Sequence, residues 1–208
     1  MDDNGLSSKS YLNQLFETYL ISKDAKATMS LLMTNNRNNT YLAFHEMAQI
    51  IAAAQLHDTG KYANIVLEES ILKEQGGYYE SDIACHLATG MIEVYEVKPK
   101  GRNGRKQIDR YISAGNGRYT SGSIFVNAPN IPVFDDISMN VLSSSTDIAV
   151  IHYDWNHMKT HPHNVEVVDY VKGLLGVVAL FLLSLDDATG IGAVDDIAIP
   201  AILTWMAY

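Results

Sequence analysis

The sequence predicts a mixed α/β core flanked by helices, and three observations carry that expectation. Apolar residues recur at helical spacing over the first sixty positions. The period then drops to two after Gly76-Gly77, in runs rich in β-forming residues. A short helical segment and two more strand-like runs follow, so strands and helices alternate rather than segregate. The chain of 208 residues is long enough to bury a full core, and 47% hydrophobic with 19% charged residues is ordinary globular composition, which excludes a disordered or fibrous chain. One cysteine, Cys85, rules out an intrachain disulfide; it sits in the alternating run Ile83-Ala84-Cys85-His86-Leu87, where a buried, inert thiol is expected.

Each element has its own signal. Tyr11, Leu12, Leu15, Phe16, Tyr19 and Leu20 predict a helix over 8–20, and Leu42, Phe44, Met47, Ile50, Ile51 and Ala54 another over 41–56. The polar stretch 35–40 between them reads as a loop with Thr40 as N-cap. A further helix is expected from Lys61 to Glu74, ending at Gly76-Gly77. Tyr78 to Leu87 and Met91 to Val97, joined by Thr89-Gly90, predict a β-hairpin, and 104–114 a short helix. Ser123 to Val126 and Ile148 to His152 are the remaining predicted strands, separated by loop-rich sequence with Pro129 and Pro132. These readings divide the chain into a helical N-terminal region (1–58), a catalytic core (59–155), and a loop with an apolar helical C-terminal appendage (156–208). The apolar run Gly173 to Leu185 is thirteen residues long, short of the roughly 20 that span a bilayer, so no stable membrane span is expected. The acidic amino terminus lacks a Sec signal, which predicts synthesis in the cytoplasm.

Charge is distributed unevenly. The formal net charge of −9 argues against a protein that coats nucleic acid over its whole surface. Yet Lys98, Lys100, Arg102, Arg105, Lys106, Arg110 and Arg118 fall in one segment against the single acid Asp109, a local +6 that leaves −15 on the rest of the chain. Lys100, Arg102, Arg105, Lys106 and Arg110 are therefore candidate phosphate-binding residues.

The hairpin joins that segment to a chemical site. Opposed residues of an antiparallel pair have numbers of constant sum, and a turn centred on Thr89 sets the sum at 178, so Asp82 faces Glu96. Opposed Cβ atoms lie roughly 5 Å apart, near enough for two carboxylates to share one divalent cation. Alternation places Lys98 beside Glu96 and Glu80 beside Asp82. Three acids and a lysine on one sheet face suit phosphodiester hydrolysis. Asp82 and Glu96 would hold Mg²⁺ (or Mn²⁺), and Lys98 would position the attacking water or stabilise developing charge.

Asp82, thirteen intervening residues and Glu96-Val97-Lys98 resemble the pattern of the PD-(D/E)xK nucleases, the restriction-endonuclease-like superfamily. Gln107-Ile108-Asp109-Arg110-Tyr111 resembles the Gln-x-x-x-Tyr motif on the helix that follows in RecB-like members. The wider string from Tyr95 to Lys100, then Gly104 and 107–112, is similar to nuclease toxin domains of bacterial polymorphic toxins, and Ile148 to Tyr153 looks like their closing strand. Ser81 stands where the family often has Pro. The resemblance implies a restriction-endonuclease-like mixed sheet and a Mg²⁺-dependent endonuclease acting on DNA in preference to RNA. It also implies catalytic roles for Gln107 and Tyr111 in orienting substrate or lysine, and a helical acid, assigned to Glu69 with Glu68 as the alternative. It further implies an antagonistic effector secreted into a target-cell cytoplasm and neutralised by an immunity protein, docked on the basic segment or on the tail Leu174 to Met206.

Three other readings compete. Leu56-His57-Asp58-Thr59-Gly60-Lys61 resembles the central motif of HD-type metal phosphohydrolases, but the only upstream histidine, His45, stands twelve residues away where two dozen or more are needed. The bland reading of His57-Asp58 is a helix C-terminus closed by Gly60. His152, His157, His161 and His163 invite a zinc site, which Pro162 and the lack of a nearby cysteine oppose. A non-enzymatic interaction or immunity module is the third, and it gives no reason for Asp82, Glu96 and Lys98 to meet.

Overall fold

The computed structural model describes residues 8–37, 39–73 and 76–157. Its elements in chain order are α1 (Ser8–Ser22), α2 (Ala25–Asn35), α3 (Thr40–Asp58), β1 (Asn64–Leu72), β2 (Tyr78–His86) and β3 (Ile92–Pro99). Then come α4 (Arg105–Ala114), β4 (Tyr119–Ser121), β5 (Asn127–Pro132), β6 (Ile137–Ser143) and β7 (Val150–His157). The strands form a seven-stranded mixed sheet in the order β1-β2-β3-β7-β6-β5, with β4 alongside β3. The pairs β3/β7 and β3/β4 are parallel and the others antiparallel. The expected mixed α/β architecture is therefore present. The expected C-terminal appendage and the tail Leu174 to Met206 lie outside the described residues. No helix among the described residues is long and apolar enough to cross a membrane.

α3 is the internal helix. Phe44, Met47, Ile50, Ile51 and Leu56 are all nearly inaccessible, and its buried positions run round the whole circumference. A helix apolar on every side needs cover on every side. α1 and α2 pack against it and the sheet covers the rest. Its N-cap is Asn39, whose Oδ1 accepts the Leu42 N–H at 3.2 Å, one residue before the expected Thr40. The N-cap of α2 is Asp24, whose Oδ1 accepts the Ala27 N–H at 3.0 Å.

Three expected elements differ. The helix from Lys61 to Glu74 is instead strand β1, paired with β2 from Asn64↔His86 to Leu72↔Tyr78. Ile65, Leu67 and Ile71 bury on one face, and Glu69 takes that face's position between Leu67 and Ile71, so the acidic pair Glu68-Glu69 hides the alternation that would have advertised the strand. Asn13 of α1 finishes the outer edge, its amide donating to the Leu67 carbonyl at 3.0 Å and accepting the Leu67 N–H at 2.9 Å. Ser123 to Val126 is not a strand. The proline-bearing stretch after it is: β5 tolerates Pro129 and Pro132 because it is the sheet's last strand and carries a bulge between Ala128 and Ile131. β6 was likewise hidden in sequence read as loop, and the closing strand β7 starts at Val150 and runs on to His157.

Candidate active site

β3 changes neighbour along its length. It pairs with β2 through Tyr95 and with β7 from Glu96 onward, so the sheet forks between these two residues. The β2–β3 ladder keeps the register expected of the Thr89-Gly90 turn, with Ile83↔Tyr95 as its last pair. One step further Asp82 stands across from Glu96, where the strands part. Instead of a backbone partner, the Val97 N–H finds Asp82 Oδ2 at 2.7 Å. This bond holds the Asp82 carboxylate in the mouth of the fork and satisfies a donor that the departing strand would leave open.

Glu96 fills the floor of the fork at 1% exposure. Tyr111 Oη of α4 donates to its Oε2 at 2.8 Å, and the Lys98 ammonium contacts its Oε1. The same ammonium lies 3.8 Å from Asp82 Oδ2. Gly104, the N-cap of α4, packs so closely that a Cβ there would come 2.9 Å from Glu96 Cγ. Burial, and next the neighbouring Asp82 carboxylate, push the Glu96 carboxyl up to about 7, against which Lys98 and Tyr111 pull down. Tyr111 itself is pushed well up by burial and by Glu96. With both carboxylates ionised, Asp82, Glu96 and Lys98 carry a net −1 where little water reaches.

α3 adds groups that the sequence patterning passed over. Gln49, fully buried, donates from Nε2 to Asp82 Oδ1 at 3.2 Å, and His45 Nε2 stands 3.6 Å from the same oxygen. Glu46, one helical turn from Gln49 and also buried, accepts from Asn36 Nδ2 at 2.6 Å. The signal was present: His45, Glu46 and Gln49 interrupt the apolar run 41–54 of α3, and buried polar groups need a purpose.

Of the two candidate helical acids, neither is on a helix. Glu69 is held away from Asp82 and Glu96 by His86 Nε2 at 2.5 Å and Tyr119 Oη at 2.8 Å. Adjacent strand residues point to opposite faces, and it is Glu68 whose carboxyl is raised, first by burial and then by Glu46, Glu80 and Asp82. Glu68 therefore belongs with the Asp82 group and Glu69 does not. Gln107 lies one turn before Tyr111, with its amide against the Tyr111 hydroxyl.

The basic segment is only partly free. Lys100 pairs with Asp154 at 2.7 Å, and Arg105 with Asp109 at 2.9 Å and Asp147 at 3.3 Å. Arg102, Lys106 and Arg110 are exposed and have no ion-pair partner among the described residues. His57 and Asp58 sit exposed at the end of α3, where Lys23 Nζ reaches Asp58 at 3.0 Å and Gly60, φ +67°, closes the helix. His45 faces Asp82, about 18 Å along the helix from His57. His152 bonds the Arg102 carbonyl at 2.9 Å, His157 lies beside Asp136, and His161 and His163 are outside the described residues. Cys85 is buried, and its thiol is pushed well up, as expected of an inert cysteine.

Among the described residues no three His, Cys, Asp or Glu side chains form a ready-made metal cluster. The fork nonetheless fits a hard divalent cation by its chemistry. Two carboxylates bracket a single ammonium, which stands where a cation would, and the group keeps an excess negative charge with oxygen donors. No family model, curated protein or solved structure matches this chain.

Proposed function

We propose that the chain is a metal-dependent nuclease of the restriction-endonuclease-like type, hydrolysing phosphodiesters, with DNA the expected substrate. The observation that carries this reading is the meeting of Asp82, Glu96 and Lys98 at the fork of the sheet, on the elements that the Asp, Glu-x-Lys and Gln-x-x-x-Tyr pattern assigns to them. Asp82 and Glu96 would hold Mg²⁺, which when bound supplies charge neutralisation at the phosphoryl group and a more acidic water. The chain's own residues do the positioning. The Val97 N–H and the Gln49 amide fix the two oxygens of Asp82, and the Tyr111 hydroxyl fixes Glu96. The Lys98 ammonium stands between them, where it can orient a water and offset charge building on the phosphate oxygens; the water gives up a proton to bulk solvent as its oxygen bonds to phosphorus, and the departing ester oxygen takes one up from bulk solvent. Arg102, Lys106 and Arg110 offer unpaired charge for the strand's phosphates.

The test is incubation of the purified chain with plasmid DNA and with RNA, in Mg²⁺ and in EDTA. Cleavage in Mg²⁺ alone, lost in Asp82→Ala, is expected. Metal-independent cleavage, or full activity in Asp82→Ala, would refute the reading. The toxin-like string 95–112 supports an effector role with an immunity partner, for which expression of the parent chain should be toxic and expression of Glu96→Ala tolerated.

A further inference from the structure

Next to the fork lies a cleft of about 470 Å³, lined by Tyr78, Tyr79, Glu80, Gln107, Arg110 and Tyr111. Its position and its lining are both unusual. Tyr111 serves two sites at once: its hydroxyl holds Glu96 and its ring walls the cleft, edge-on to Tyr79 with ring centres 6.2 Å apart. Along β2, Tyr78 and Glu80 are the two preceding positions of the alternation that ends in Asp82. Tyr78 is 65% exposed, a large aromatic ring left in water beside a polar hollow. Arg110, with no ion-pair partner among the described residues, lines the hollow, and the acid in its wall, Glu80, is paired with Lys9; Lys73, which belongs to a neighbouring cleft, caps the Tyr79 ring with Nζ 4.3 Å from its centre. Gln107 brings an amide, which both donates and accepts.

Aromatic faces, an amide and an unpaired cation are groups that bind a nucleotide: rings stack on a base, an amide bonds its edge, and the cation meets a flanking phosphate. A duplex cannot present a base to this wall, because its bases are stacked and paired inside the helix. Resting on the nuclease reading above, we infer that the cleft is a nucleobase subsite, and that the substrate class is single-stranded, frayed or flipped nucleic acid rather than intact duplex. The base of a nucleotide beside the scissile phosphate stacks on Tyr78, with Arg110 on its phosphate. A free exposed tyrosine with no ligand would make Tyr78 neutral to replacement, whereas a stacking platform would not.

The experiment is fluorescence anisotropy on the full chain in EDTA, using a short labelled oligothymidylate and a labelled duplex of the same length, with the parent, Tyr78→Phe and Tyr78→Ala. Base stacking on an aromatic ring predicts about 5- to 100-fold weaker single-strand binding in Tyr78→Ala, retention in Tyr78→Phe, and duplex binding changed less than about twofold. Circular dichroism of Tyr78→Ala checks that the exposed substitution leaves the fold unaltered. Equal loss on both probes, no loss in Tyr78→Ala, or no single-strand binding by the parent overturns the subsite. Binding with these properties but no cleavage in Mg²⁺ would refute the catalytic reading and leave the subsite standing; cleavage with an indifferent Tyr78→Ala would do the reverse.

Discussion

Two glutamates three residues apart on β3 meet opposite fates. Glu93, 5% exposed, accepts from Lys61 Nζ at 2.6 Å, Tyr62 Oη at 2.7 Å and the Ser123 N–H at 3.2 Å. Burial alone would raise its carboxyl, but Lys61 and Tyr62 outweigh it and the group is held below the usual range. Glu96, as deeply buried, shares one ammonium with a second carboxylate and is raised to about 7. One acid is fully answered by its surroundings and ties the 60–63 and 122–124 segments to the sheet. The other is left short of positive charge. Under the proposed function, that shortfall is where a divalent cation would complete the site.

That contrast can be broken most sharply by activity. Asp82→Ala and Glu96→Ala are each expected to lower metal-dependent cleavage on the order of 10³-fold or more, because each removes a charged ligand. Glu93→Ala should leave the proposed cleavage by the folded chain within about twofold and instead cost roughly 2–3 kcal/mol in urea unfolding, since it strands Lys61, Tyr62 and the Ser123 N–H. If Glu93→Ala were the inactive variant, the roles would be reversed.

Gly104→Ala is a smaller perturbation of the same acid. The backbone at Gly104, φ −100°, suits any residue, so the added Cβ acts by its contacts, chiefly with Glu96 Cγ at 2.9 Å and Cβ at 3.2 Å, and more loosely with Val150 Cγ1 at 3.4 Å. Displacing that carboxylate should lower kcat about 10- to 100-fold with little change in unfolding midpoint. An unchanged kcat would show that the fork tolerates movement of Glu96.

The smallest effect concerns stability and pH. Glu96 is raised above the ordinary 4.5, so the native state holds this proton more tightly than the unfolded chain. Its contribution therefore opposes folding increasingly as pH rises from about 4.5 to about 7, and fully above that. Glu96→Gln should melt a few °C above the parent at pH 8 and level with it near pH 4. A variant less stable than the parent at pH 8 would mean that Glu96 is as well satisfied as Glu93.

Much of this arrangement could be read from the chain. The hairpin register followed from the Thr89-Gly90 turn, where Gly90 takes φ of +85°, and from alternation on both strands; Asp82, Glu96 and Lys98 came together because that register is local. α4 was legible from its spacing, which places Gln107 and Tyr111 one turn apart. What stayed hidden depends on non-local contact. Gln49 meets Asp82 across 33 positions, and only the packing of α3 against the sheet shows it. β1 was concealed by the acidic pair Glu68-Glu69 in the middle of its apolar alternation, and β5 by prolines that only an edge strand tolerates.

The most direct measurement is isothermal calorimetry of Mg²⁺ binding to the parent, Glu96→Gln and Glu93→Gln at pH 7, in two buffers of different ionisation enthalpy. Burial and the Asp82 carboxylate raise Glu96 towards neutrality, so a cation held by Asp82 and Glu96 should displace a proton from it. The account predicts saturable binding with proton release in the parent and in Glu93→Gln, and neither in Glu96→Gln. Equal binding by all three chains would contradict it.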